Sequence, residues 1–188
     1  NATPVKRVLE GGGAQVLVYA VPPIGTGTAT EQYADIRDQF EAQEFNVFVY
    51  PTVIDAAEQT ATKLWVARNR DEGKHFMYVA GGDATEDADP TEGNARSVLL
   101  SDDYIVNLIT GVVLADDTEV QSADFAPYIA GLIAGTAINK SVTYAELPVA
   151  DVTKRLKNSE IETALTSGSL VIIKDGNKVR VEQHDGTR

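Results

Sequence analysis

Four groups of residues in this chain have types and spacings that could do chemistry. The first is Gly25-Thr26-Gly27-Thr28-Ala29-Thr30, which follows an apolar run and opens a helical pattern. A dinucleotide-binding loop sits in such a place, because glycine lets the backbone approach a pyrophosphate resting on a helix N-terminus. Here Thr30 replaces the third glycine, Pro22-Pro23 lengthens the loop, and no acidic residue ends the following strand. A Walker loop would need a Gly-Lys-Ser/Thr ending, which is absent. A plain connecting loop explains these residues better.

The second group crowds five carboxylates (Asp83, Glu86, Asp87, Asp89 and Glu92) into ten residues. Calcium takes oxygen ligands, but the alternating acidic positions with a central glycine and a closing glutamate are missing. A solvated acidic loop that complements the dipole of the next helix is the simpler expectation. The third group is Asp55, Asp83 and Asp116, each just beyond a predicted strand, where open α/β sheets bind ligands. Three carboxylates there could hold magnesium for phosphoryl chemistry, provided that they converge. Caps and turns also favour Asp for purely local reasons, and no Asp-x-Ser-x-Ser or Asp-x-Asp signature is present. The last group is His75 and His184, the two histidines, neither of which belongs to a nucleophile arrangement. No catalytic, cofactor-binding or metal-binding residue is assigned on this reading, and no cofactor is expected.

The elements that would position these groups read as βα units on a mostly parallel sheet. Apolar runs predict strands over Ala14–Val21, Phe45–Tyr50, His75–Ala80 and Ile105–Ala115. Between them, a helix from about Thr30 carries Tyr33, Ile36 and Phe40 on one face, with Thr28 and Glu31 as its capping box. A second helix starts at Asp55, with Glu58 three residues on, and aligns Ala57, Ala61, Leu64 and Arg68. A third begins at Pro90, a residue suited to a first turn.

Beyond residue 118 the pattern changes. Asp124 is expected to cap a helix of small residues running through Tyr128, Gly131 and Gly135. Val142–Leu147 reads as extended, and Ser159 with Glu162 as the capping box of a short helix ending at Gly168. Leu170–Ile173, the turn Asp175-Gly176-Asn177 and Val179–Gln183 predict an antiparallel β-hairpin. The fold class is therefore α/β with a C-terminal hairpin, in a single domain over 1–188 with a sub-boundary near 118–124. The spacing Gly131-Leu-Ile-Ala-Gly135 permits close helix approach, expected here within the core, helix on sheet. Trp65 reads as a core or edge residue.

Composition narrows the functional classes. The 188 residues, 43% hydrophobic and 23% charged, suit one soluble globular domain. No apolar run reaches the roughly 20 residues of a membrane helix, so no membrane contact is expected. The net charge of −12 disfavours nucleic acid, whose phosphates it would repel. Zero cysteines exclude disulfides, thiolate metal sites and a cysteine nucleophile, which fits an intracellular origin. The chain shows no signal peptide and no initiator Met, and it stops abruptly at His184–Arg188 after a strand. That reads as an internal, protease-resistant fragment, with an Arg terminus suited to a trypsin-like cut.

One resemblance is more specific. Tyr128–Tyr144 joins a small-residue helix to Asn139-Lys-Ser141-Val-Thr143-Tyr144, followed by Asn158-Ser159-Glu160-Ile161 and then Val179-Arg180-Val181-Glu182-Gln183. Their order resembles the tail sheath proteins of contractile phages and prophages, mostly over the last 60 or so residues. The resemblance implies a virion structural protein of the phage tail, assembled in the host cytoplasm and without an active site. It implies self-assembly through terminal arms, contact with the tail tube through a C-terminal domain, and a monomeric core when both are missing. The competing expectation is a nucleotide- or metal-dependent α/β enzyme or ligand-binding domain using Gly25, Asp55, Asp83 and Asp116.

Overall fold

The computed structural model describes residues 2–19, 29–137 and 139–182. Helix α1 (Thr3–Gly11) has Pro4 in its first turn and ends at Gly12, whose φ of 116° suits a left-handed cap. The sequence reading had no element there. Residues 15–19 follow without regular structure, so the described part of the strand expected over Ala14–Val21 is irregular; its last two residues lie outside the described residues. Helix α2 (Ala29–Glu41) buries Ile36 and packs Tyr33 and Phe40 beside it, the expected face. Its expected capping box rests on Thr28, outside the described residues.

Strand β1 (Val47–Val49) leads to α3 (Ala56–Asp71), where Asp55 accepts from the Glu58 backbone N–H at 2.8 Å, as expected of an N-cap. The buried face of α3 differs from the expected one. Glu58, Thr62, Trp65 and Asn69 point inward, while Leu64 is 64% exposed. The large ring decides this rotation. Trp65 packs on Phe48 and Phe76 with centroids 5.1 and 4.9 Å away, and its indole N–H donates to Glu41.

After β2 (Met77–Ala80), the acidic run is a helix rather than the expected loop: α4 (Ala84–Ala88). Asp83 accepts from the N–H groups of Thr85 and Glu86, and the Glu86 carboxylate accepts in return from Asp83 N–H at 3.1 Å. That reciprocal box offsets the cost of starting so short a helix. Asp89 then caps α5 (Pro90–Leu99) by accepting from Thr91 N–H at 2.9 Å.

The single strand expected over Ile105–Ala115 is divided. β3 (Ile105–Leu108) stays in the main sheet, and β4 (Val112–Val113) joins a small antiparallel sheet with β5 (Glu119–Val120) and β7 (Asp151–Val152). Gly111 makes the departure possible: a Cβ there would lie 2.7 Å from the Val120 carbonyl oxygen and 2.9 Å from both Asp87 and Thr153. Helix α6 (Ser122–Gly135) starts two residues before the expected cap, so Asp124 lies in its first turn. The extended segment expected over Val142–Leu147 contributes β6 (Glu146–Leu147). Helix α7 (Asn158–Thr166) is boxed two residues earlier than expected, by Glu160 accepting from Lys157 N–H at 2.7 Å. The hairpin β8 (Ser169–Asp175) and β9 (Lys178–Glu182) turns at Gly176, φ 59°, as the sequence predicts.

The main sheet has the order β1-β2-β3-β8-β9-β6, parallel through the first four strands and antiparallel thereafter. Alternation along β2 serves two cores. Tyr78 joins Phe48, Trp65 and Ile36 under α2 and α3, whereas Val79 joins Leu108, Phe125 and Ile129 under α6. The glycine stripe of α6 faces a helix rather than the sheet, contrary to the expectation. Gly131 lies against the Val8 carbonyl, and a Cβ at Gly135 would stand 2.6 Å from the Gly12 carbonyl oxygen. Any larger residue would lift α1 from α6, so the spacing serves an intrachain helix pair.

Candidate functional site

Open α/β sheets bind ligands beyond the carboxyl ends of their strands. In this chain the part of that region just beyond β2 holds the chain's own groups. Gly81 and Gly82 follow β2, and backbone packing requires the first of them to be glycine. A Cβ on Gly81 would strike the backbone of Ser122 and Ala123, and one on Gly82 would strike the Arg96 guanidinium and the Glu86 carboxylate. The first turn of α6 is stitched to this bend. Gly82 N–H donates to Ser122 Oγ at 2.7 Å, and Ala123 N–H donates to the Gly82 carbonyl at 3.0 Å.

Arg96 reaches under the bend from α5 and is buried. Its Nε donates to Asn107 Oδ1 at 2.7 Å, its Nη2 to the Leu108 carbonyl at 3.0 Å, and its Nη1 pairs with Glu86. Asn107 continues the chain of bonds to the Gly93 carbonyl at 3.0 Å and to Ser97 Oγ at 2.6 Å. Ser97 meets Ser169 on β8, also at 2.6 Å. The crevice is thus a polar buckle joining α4, α5, β3 and β8.

Asp87 occupies the N-terminus of α6, where an anionic ligand would otherwise rest. Its Oδ2 accepts from Ser122 N–H at 2.6 Å, while Oδ1 is buried without a hydrogen-bond partner. Burial raises its pKa to about 6, against the opposing pull of the Ser122 bonds and Arg96. A polar cavity of about 490 Å³ adjoins it, lined by Asp87, Glu119, Gln121, Asp124, Thr153 and Lys154. Because the folded pKa exceeds the ordinary carboxylate value, the native state holds this proton more tightly than the unfolded chain. The contribution of Asp87 to stability therefore falls as pH rises from about 4 to about 6, and stays low above that. Asp87→Asn keeps an acceptor for Ser122 and removes the charge. It is expected to stabilise the chain at pH 8 by on the order of 2 kcal/mol, with little gain at pH 4. Urea midpoints at both values test this, and an equal change at both would sink the assignment.

The other candidates do not come together. Asp55 caps α3, Asp83 caps α4, and Asp116 accepts from Thr118, whose hydrogen bonds hold its carboxyl below the usual range. Among the described residues, no group of three His, Cys, Asp or Glu side chains is placed to hold a metal ion. His75 is exposed, its ring 5.7 Å from that of Tyr104. Residues 25–28 and His184 lie outside the described residues. Sequence reasoning missed Arg96, because an arginine on a short amphipathic helix looks like a solvent-facing one. The Asp83-x-x-Glu86 box was missed too, because Asp83–Asp89 reads as a solvated acidic loop, although the spacing of a capping box is there.

Comparisons with known proteins place this chain among phage tail sheath proteins. The family model of the phage tail sheath protein central domain matches residues 26–184, far more than the C-terminal stretch that carries the motif order. A tail sheath protein of Clostridium phage phiCD119 is 25% identical over 160 residues, covering 84% of this chain and 40% of that protein. The crystal structure of a sheath tail protein from Desulfitobacterium hafniense superposes with a TM-score of 0.69 at 27% identity, over 91% of this chain and 39% of that one. The helical sheath of the anti-feeding prophage, in its contracted state, shares the fold: TM-score 0.66, 16% identity, all of this chain and 51% of that one. The chain thus spans about two fifths of the length of the first two of these proteins.

Proposed function

The chain belongs to the phage tail sheath central-domain family, and from that premise we propose that it is the middle of a contractile tail sheath subunit. In this reading the whole protein stacks with its own copies around a tail tube in the virion, after assembly in the host cytoplasm. On a trigger it contracts and drives the tube through a host envelope. Energy for such a change comes from the difference in packing between two assembled states, so no turnover is required. The observation that carries the reading is the family match across residues 26–184. The strand-end buckle supports it, since Arg96 and Asp87 there bond to the chain's own Leu108 carbonyl and Ser122 N–H.

Residues 1–188 act in this reading as one α/β unit. The segment 118–124 joins the small sheet to α6, which lies back across β1, β2 and β3. Joining to neighbours falls to terminal arms of the complete protein, and contact with the tube to a C-terminal domain. The present chain is then a monomeric core that touches neither nucleic acid nor membrane. Negative-stain electron microscopy of the complete reading frame, beside this chain at equal concentration and with purified tube protein added to a second sample, tests both parts. Tubes from the complete protein and single particles from this chain are expected. Rings or tubes from this chain alone would overturn the role of the arms. Dispersed particles in every sample would overturn the sheath reading.

A further inference from the structure

The first strand of the main sheet has an open side. β1 pairs in parallel with β2, and among the described residues no strand lies on its other edge. An apolar cavity of about 580 Å³ runs there, and Phe48, Val49 and Tyr50 all line it. Consecutive strand residues point to opposite faces of a sheet, so a cavity touching all three lies along the strand's edge. The faces confirm this: Phe48 and Tyr50 belong to the core under α2 and α3, and Val49 packs against the core under α6. Both helix layers overhang the edge. Tyr33, Ile36 and Phe40 of α2 line one wall; Val5 and Val8 of α1, with Pro127 of α6, line the other. The gap between two such layers beside an edge strand is the shape of one further strand.

The chain's own Val16–Tyr19 lines the same cavity, in irregular conformation, with Leu17, Val18 and Tyr19 between 40% and 66% exposed. Its run of Val-Leu-Val-Tyr has the composition of a strand buried on both faces. We propose that Gln15–Tyr19 is a strap that closes this groove by pairing in parallel with the free edge of β1, adding a seventh strand to the sheet. Parallel pairing follows from connectivity, because α2 lies between strap and β1 as the crossover that parallel neighbours require. Docking buries the exposed side chains between α1 and α2. It also covers the hydrogen-bonding edge of β1, which would otherwise be open to any second chain. The strap is thus a built-in guard on that edge, independent of the sheath reading.

Amide hydrogen exchange on the intact chain, at several protein concentrations, tests the strap. The amides of Val16–Tyr19 and the edge-facing amides of β1 are expected to exchange about tenfold or more slowly than in unstructured peptide. That protection should not depend on concentration. Val18→Pro removes a strand N–H and should expose the β1 edge amides while leaving those of β3 protected. Exchange of Val16–Tyr19 at peptide rates would overturn the proposal. So would protection that grows with concentration, which would place a second copy in the groove, and so would a Val18→Pro chain whose β1 edge stays protected.

Discussion

Replacing Arg96 with methionine is expected to cost about 3–5 kcal/mol of folding stability, a large part of what a domain of this size has. The aliphatic stem is kept, so the loss isolates the guanidinium. That group is buried and satisfies Asn107 Oδ1, the Leu108 carbonyl and Glu86 together. Without it the Asn107 oxygen and a strand carbonyl are left in the interior with no donor, and each such orphan costs about 1–3 kcal/mol. Arg96→Lys should recover little, because a single ammonium cannot reach three acceptors in the plane that the guanidinium fork occupies. Urea unfolding of the three chains gives the comparison. A loss below about 1 kcal/mol for Arg96→Met would mean that water enters the strand-end crevice freely. The space would then be available to a ligand, and the enzyme or binding reading would regain weight. The variant therefore tests function as well as stability.

What the sequence made legible follows from how local each signal is. The Asp55 cap, the Pro90 start and the Gly176 turn depend on neighbours within a few residues, and all stand where the spacing places them. The parallel strands are legible as β-branched runs because burial on both faces leaves no polar alternation. Signals that depend on distant packing are misread. Leu64 looks like a core residue, but Trp65 takes the inward position, because its ring finds Phe45, Phe48 and Phe76 across the sheet. The Gly131–Gly135 stripe was expected to meet the sheet, yet its partner is α1, an element that the sequence reading lacks. Ile105–Ala115 is apolar throughout and gives no hint that Gly111 divides it between two sheets. The strand-end carboxylates illustrate the same limit. Whether Asp55, Asp83 and Asp116 converge is a question of tertiary placement, and each proves to serve its own turn.

The second large effect is expected at the ion pair between α2 and α3. Arg37 Nη1 lies 2.9 Å from Glu58 Oε2, with side-chain exposures of 11% and 4%, and donates also to Thr62 Oγ1 at 3.3 Å. Glu58→Leu strands a buried guanidinium and should cost about 3–5 kcal/mol. Arg37→Met strands the carboxylate, and a loss of similar size is expected. The double variant removes both charges and leaves apolar side chains beside Tyr33, Ile36 and Tyr50. Its stability should return to within about 1 kcal/mol of the parent, because the desolvation of two ions roughly cancels their attraction. Urea unfolding of the four chains closes a double-mutant cycle, and the expected coupling is therefore large although the pair's net worth is small. Purely additive losses would instead show that each residue acts through separate contacts. A stable double variant has a further consequence for the edge of β1. α2 forms one wall of the groove, and an apolar α2–α3 contact no longer fixes the position of that wall by paired charges. Amide protection of Val16–Tyr19 measured in the double variant then shows whether the ion pair sets the width of the strap's slot. Protection lost at unchanged global stability would mark the pair as a positional device rather than a stabilising one.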